Sequence, residues 1–237
     1  MYDPRQHLIV ALDVSSRAAA QKLVTALGES VFIYKVGMQL YTAEGPRLVR
    51  ELVSSGRRVF LDLKFHDIPS TVASAVREAA KLGVSMLTVH AAGGGRMLRA
   101  AVESAKLANP APQVLAVTVL TSMEEEDLDK TGVRGRVLDQ VLRLAALALA
   151  DGCQGVVASA KEAAALRSEL GHEFAIVAPG VRLVGADRAD QSRVMTPAEA
   201  IAAGSTYIVV GRPITAAPDP ALEAKTVLEQ MSLAVGV

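Results

Sequence analysis

Eight short apolar runs recur along the chain, and each is followed by a stretch with helical spacing of its apolar residues. The runs are "HLIVALDV" (7–14), "VFIYKVG" (31–37), "RVFLDLK" (58–64), "SMLTVHA" (85–91), "QVLAVTVL" (113–120), "GVVAS" (155–159), "EFAIVAPG" (173–180) and "TYIVVGR" (206–212). They are nearly continuous in apolar residues, the pattern of strands covered on both faces. The stretches between them, such as "STVASAVREAAKLG" and "RVLDQVLRLAALALADG", read as Ala/Leu-rich amphipathic helices. Several stop at a glycine (Gly28, Gly56, Gly83, Gly152, Gly171, Gly204), as a helix does when it turns back into a strand. Eight such units in 237 residues is the arithmetic of an α/β protein built as a (β/α)8 TIM barrel, a single domain spanning 1–237. An open doubly wound sheet is the competing architecture. Its Gly-rich fingerprint is missing, because "LDVSSRAAA" after the first run is an ordinary helix start.

Charge narrows the range of partners. Lys plus Arg and Asp plus Glu are 25 each, so no general electrostatic pull toward nucleic acid or a membrane surface exists. A local basic pocket for a small anion remains open. The longest apolar helix, "LRLAALALADG", is too short to span a bilayer and reads as a buried helix. The start "MYDPRQHLIVALDV" lacks the pattern of a signal peptide, so a cytoplasmic protein is expected. The one cysteine, Cys153, excludes a disulfide framework and reads as a small buried hydrophobe.

In a barrel, chemistry gathers at the C-terminal ends of the strands. Asp13 closes the first run, Lys35 lies in the second, Asp62 and Lys64 in the third, and His90 in the fourth. In "FLDLKFHDIPSTV" an extended chain places Asp62, Lys64 and His66 on one face and Leu61, Leu63 and Phe65 on the other. A structural ion pair would account for Asp62 and Lys64 taken alone. Two lysines and two aspartates at one mouth are harder to justify as stabilisation, since desolvating each charge costs several kcal/mol before pairing offsets it. Such coupled groups in a cleft are candidate catalysts.

The last two runs suggest a phosphate site. "APGVR" and "VVGRPIT" each set a glycine at a strand end, where backbone N–H groups approach an anion, and each adds an arginine, Arg182 and Arg212. "VRLVGADRADQSRVMTP" reads either as a lid over the ligand or as a plain surface loop. "AAGGGR" (91–96) reads as a tight turn rather than as a phosphate cradle, and "EEED" (124–127) as a solvated helix start. Histidine is the side chain suited to proton exchange near neutral pH, but His66 and His90 each read more readily as structural than as functional. No His/Asp/Glu cluster has metal-ligand spacing, and no serine sits on a G-x-S-x-G elbow.

With these residues in view, "VFLDLKFHDIPST" resembles the D-x-K-x-x-D signature of the orotidine 5′-phosphate decarboxylase family, followed by Ile-Pro-x-Thr. "ALDV", "KVG", "VTVLTSM", "APGVR" with Gln191, and "VGRPIT" fall in the family's order, so the resemblance covers essentially the whole chain in its bacterial form. It implies decarboxylation of orotidine 5′-monophosphate to uridine 5′-monophosphate with no cofactor and no metal. It implies Lys64 as proton donor, Asp62 as the carboxylate beside the substrate's own, and Lys35 as the third member of the charged chain. Asp67 would be supplied across a homodimer interface into the neighbour's site. By the same resemblance Asp13 and Thr71, with Ile68, serve the ribose and ribose-phosphate end. Thr121 and Ser122 serve the pyrimidine edge, and Pro179, Arg182, Gln191, Gly211 and Arg212 the phosphate end. Ser70 stands where relatives often carry Asn. Two rivals share part of the pattern. Mg2+-dependent sugar-phosphate barrels (3-keto-L-gulonate 6-phosphate decarboxylases, hexulose-phosphate synthases) carry the same D-x-K-x-x-D motif with a carboxylate where "YKVG" has Lys35. A non-catalytic nucleotide-binding barrel would explain the phosphate loops but not Asp62 beside Lys64.

Overall fold

Each predicted run contains one strand of a closed parallel barrel in the computed structural model, which describes residues 2–182 and 195–234. The strands are β1 (Leu8–Ala11), β2 (Ile33–Gly37), β3 (Arg58–Phe65), β4 (Met86–His90), β5 (Gln113–Val117), β6 (Gly155–Val157), β7 (Ala175–Pro179) and β8 (Tyr207–Val210). They stand in sequence order, and β8 pairs with β1 to close the ring. The helices are α1 (Arg17–Leu27), α2 (Met38–Ser54), α3 (Pro69–Ala80), α4 (Gly94–Ala105), α5 (Glu125–Lys130), α6 (Val137–Ala150), α7 (Ala160–Leu170), α8 (Pro197–Ala202), α9 (Arg212–Thr215) and α10 (Pro220–Leu233). All six glycines expected to stop helices have positive φ, which a residue without Cβ adopts at no steric cost.

Strand alternation divides the apolar residues into two unequal sets. Ile9, Ala11, Ile33, Phe60, Met86, Leu115, Val177 and Val209 form a small plug inside the barrel. Their sequence neighbours, among them Leu8, Val10, Tyr34, Leu61 and Leu87, join a far larger cluster with the helices. Burying one such side chain is worth roughly 1.5–3 kcal/mol. Most of that gain therefore lies between strands and helices, and the barrel mouth is left open to polar residues.

Other details follow the sequence. In α6, Val141, Leu144, Ala145 and Ala148 are buried, as expected for a core helix. No helix among the described residues is long and apolar enough to cross a membrane. The 91–96 segment is a short 3-10 turn leading into α4. A Cβ on Gly93 would overlap the Met97 sulfur, and one on Gly95 the Asp151 carboxylate, so these glycines permit close packing. Glu124 precedes α5 and its acidic first turn is exposed, a solvated helix start.

Cys153 is 5% exposed, and burial, with Asp151 as a smaller cause, pushes its thiol up to about 12. The native protein should therefore resist iodoacetamide at mildly alkaline pH and react fully once denatured. Mass spectrometry of the alkylated protein checks this, and fast labelling of the native chain would contradict the burial.

Candidate active site

The site is built around an irregularity in β3. Its ladder with β2 runs in register up to Gly37 opposite Asp62. With β4 it pairs Phe60 to Met86 and Leu61 to Leu87, then jumps to Phe65 opposite Val89. Four steps along β3 thus face two along β4, and the surplus is taken up by a bulge. Within it Lys64 has φ +51°, and it is the non-glycine residue with positive φ among those described. For an L-residue that geometry costs roughly 1–2 kcal/mol. The threonine opposite the bulge meets it with both hydrogen-bonding capacities. Thr88 Oγ1 accepts from the Lys64 backbone N–H at 2.8 Å and donates to Asp62 Oδ1 at 3.0 Å.

The bulge brings Lys64 Nζ to 2.8 Å from Asp62 Oδ2. Lys35 Nζ lies 3.9 Å from that same oxygen and 2.8 Å from Asp13 Oδ1. The four charges alternate in sign along one line, Asp13–Lys35–Asp62–Lys64. The two central side chains are the most enclosed, Lys35 at 12% and Asp62 at 13% exposure. Alternation is what makes such an enclosed array tolerable, because each buried charge faces an opposite one. A glycine clears the way: a Cβ on Gly37 would stand 2.9 Å from Lys35 Nζ and 3.4 Å from Asp13 Oδ1.

Two adjoining half-clefts open at the mouth. One sets Lys35, Asp62 and Lys64 against an apolar wall that includes Phe60, Val117, Val157 and Val209, with Thr121 and Pro179 also lining it. The other is lined by Asp13, Gly180, Arg182, Gly211 and Arg212. Lys35, Pro179 and Val209 belong to both. A flat apolar ring fits the first half, and an anionic group fits the arginines and strand-end glycines of the second.

The structure therefore gathers Asp13, Lys35, Asp62, Lys64, Thr121, Pro179, Arg182, Gly211 and Arg212 into one cleft. It does not bring in Asp67, Ile68, Thr71 or Ser122, all exposed and absent from the lining of either half. The Asp67 carboxylate caps the backbone N–H of Ile68 at 2.6 Å. Gln191 and most of the 181–197 segment read as a lid lie outside the described residues.

His66 departs from the expected alternation. It is exposed and lies beside His90, the rings tilted and their centroids 5.3 Å apart, because the bulge at Lys64 resets the pleat. Thr88 and the apolar wall escaped the sequence reading. The signal for Thr88 was its inward parity with His90 in "LTVH", which says nothing of its hydroxyl's partners.

A family profile described as "Orotidine 5'-phosphate decarboxylase / HUMPS family" matches residues 6–227. The orotidine 5′-phosphate decarboxylase of Moorella thermoacetica is 52% identical over 235 residues, covering 97% of this chain and 93% of that protein. The enzyme of the same name from Heliobacterium modesticaldum is 50% identical over 236 residues, with 97% of each covered. Among solved structures, the crystal structure of orotidine 5′-phosphate decarboxylase from Lactobacillus acidophilus superposes with a TM-score of 0.86 at 37% identity, over 95% of this chain and 98% of that one.

His90 carries a pH consequence. Burial lowers its pKa, helped by His66 and Lys64 and partly opposed by Asp62. The folded protein therefore resists a proton that the unfolded chain accepts. The sign is that stability falls as pH drops below about 6.5, the ordinary histidine value, and recovers above it. Thermal melts across this range should show a flatter acid-side decline for His90→Asn than for wild type. An equal slope would remove His90 as the cause.

Proposed function

Because the chain belongs to the orotidine 5′-phosphate decarboxylase / HUMPS family, we propose that its cleft converts orotidine 5′-monophosphate into uridine 5′-monophosphate and CO2, the last step of de novo UMP synthesis. The observation that carries this reading is the alternating Asp13–Lys35–Asp62–Lys64 line beside an arginine-lined half-cleft. A substrate with a phosphate at one end and a ring carboxylate at the other fits that layout.

The chemistry follows from the charges. Breaking the bond between ring carbon and carboxylate releases CO2 and leaves an electron pair on the carbon. Lys64 stands beside that carbon as an ammonium, gives it a proton, and recovers one from solvent. Two unit charges about 4 Å apart interact by about 4 kcal/mol at an effective dielectric of 20, which is roughly 10³-fold in rate. Because the attraction grows as negative charge develops, it acts on the transition state more than on the bound substrate. Asp62 faces the substrate carboxylate and repels it, a strain released as CO2 departs. Arg182 and Arg212 hold the phosphate, with backbone N–H groups at Gly180 and Gly211. Asp13 and Lys35 meet the ribose, and Thr121 the pyrimidine edge. Binding energy at the phosphate then holds the ring against the charged line.

Asp67, Ile68 and Thr71, exposed on the segment after β3, serve a second copy of the chain. In the homodimer Asp67 completes the neighbour's site. Ser122 serves the base end and Gln191 the phosphate end. As a biosynthetic enzyme the protein acts in the cytoplasm.

The Mg2+-dependent relatives are the second reading, and Lys35 weighs against it. Its ammonium occupies the space between Asp13 and Asp62, where a metal would need free carboxylate oxygens. Among the described residues no cluster of three His, Cys, Asp or Glu could hold an ion.

The direct test follows the ultraviolet absorbance of orotidine monophosphate with purified protein. An unchanged spectrum would leave a nucleotide-binding module, and loss of turnover in EDTA would favour the metal-dependent class. Lys64→Ala is expected to lose more than about 10⁴-fold in kcat while the variant folds and still binds uridine monophosphate. Turnover within about tenfold of wild type would remove Lys64 from the proton-donor role.

A further inference from the structure

The line of charges is only as well placed as the backbone that carries Lys64, and that backbone is the least favourable stretch of β3. At the bulge β3 loses its ladder to β4: Leu61 pairs with Leu87 and Phe65 with Val89. The β4 residue between those two partners is Thr88. It is 0% exposed, yet its hydroxyl is fully used, accepting from the Lys64 N–H and donating to Asp62. One oxygen thus contacts the strained residue's backbone and the carboxylate its side chain is paired with. On its other side Thr88 stands opposite Leu115 in the ordinary β4–β5 ladder, which fixes its position independently of the bulge.

We propose that Thr88 is a positioning residue for the decarboxylation, its hydroxyl holding residue 64 in the left-handed region and turning Asp62 toward the Lys64 ammonium. The inference rests on the decarboxylase reading above and adds to it the element that sets the geometry. Thr88 is not itself among the lining of either half-cleft; it lies behind Lys64 and Asp62, which are. It acts through Lys64 and Asp62. Without the hydroxyl the bulge lacks its cross-strand acceptor, Lys64 relaxes toward an extended conformation, and the ammonium swings off the reacting carbon. Misplacement of a catalytic group by about 1 Å typically costs about 100-fold in rate. The phosphate grip lies on β7 and β8, away from this contact, so ground-state binding is left in place.

Three variants separate the hydroxyl from the bulk around it. Thr88→Val keeps the shape and removes both hydrogen bonds. Thr88→Ser and Thr88→Ala differ from each other only in the hydroxyl, and they carry the test should the valine variant not fold. The expected result is a fall of about 100-fold in kcat for Val and Ala with KM little changed, and rescue of most of the rate by Ser. A Val or Ala variant that turns over like wild type overturns the inference. Equal impairment of Ser and Ala also overturns it, because the methyl group would then be what matters. If the wild type itself fails to decarboxylate orotidine monophosphate, the functional reading falls and the positioning claim is judged by crystallography alone. A Thr88→Val structure in which residue 64 keeps its positive φ and its amine stays on Asp62 refutes it, and one in which both are lost upholds it.

Discussion

Asp62 is held between two ammonium groups, and the rest of the mouth is organised around that fact. Lys64 lies 2.8 Å from one of its oxygens and Lys35 3.9 Å from the same one, while Thr88 reaches the other at 3.0 Å. A carboxylate at 13% exposure could not be kept there alone, since desolvation costs several kcal/mol and only close opposite charges offset it. The reverse also holds, because each lysine is fixed by a carboxylate. The array contributes little to folding. What it provides is four charges in set positions before any ligand arrives, and in the proposed reaction little reorganisation is then required.

How much of this was legible in the sequence depends on the length scale of each feature. Strand period and helix stops are local, so eight runs and six terminal glycines were readable directly, and the barrel followed from their number. The positions of Asp13, Lys35, Asp62 and Lys64 near strand ends were equally local. The register that sets Asp62 beside Gly37 is a property of two strands and could not be read from one. The bulge is subtler still. Lysine is not a residue that signals a left-handed backbone, so an extended chain was the natural assumption. It paired Asp62 with Lys64 correctly but carried His66 to the wrong place. Thr88 is an unremarkable inward threonine until the opposite strand is known to lose its ladder there. Asp67, one position out of step with Asp62 and Lys64, is exposed, accepts from the Ile68 backbone N–H and lines neither half-cleft.

The two half-clefts share Lys35, and this ties ligand binding to chemistry. Lys35 sits between the carboxylate at the anion end, Asp13, and the carboxylate at the ring end, Asp62. A ligand that engages Asp13 changes the field felt by Lys35 and, through it, by Asp62. In the proposed reaction, contacts made at the Asp13 end would thereby influence the charges at the Asp62 end.

The division of apolar residues into a small inner plug and a large outer shell reaches beyond this one reaction. Cohesion resides in the shell, where strand backs meet helices, and the inward side chains near the rim contribute little to it. Exchanging an apolar side chain at the rim therefore disturbs that shell little. Such a scaffold is free to acquire a different catalytic repertoire by substitution at a few inward sites, with its architecture inherited unchanged.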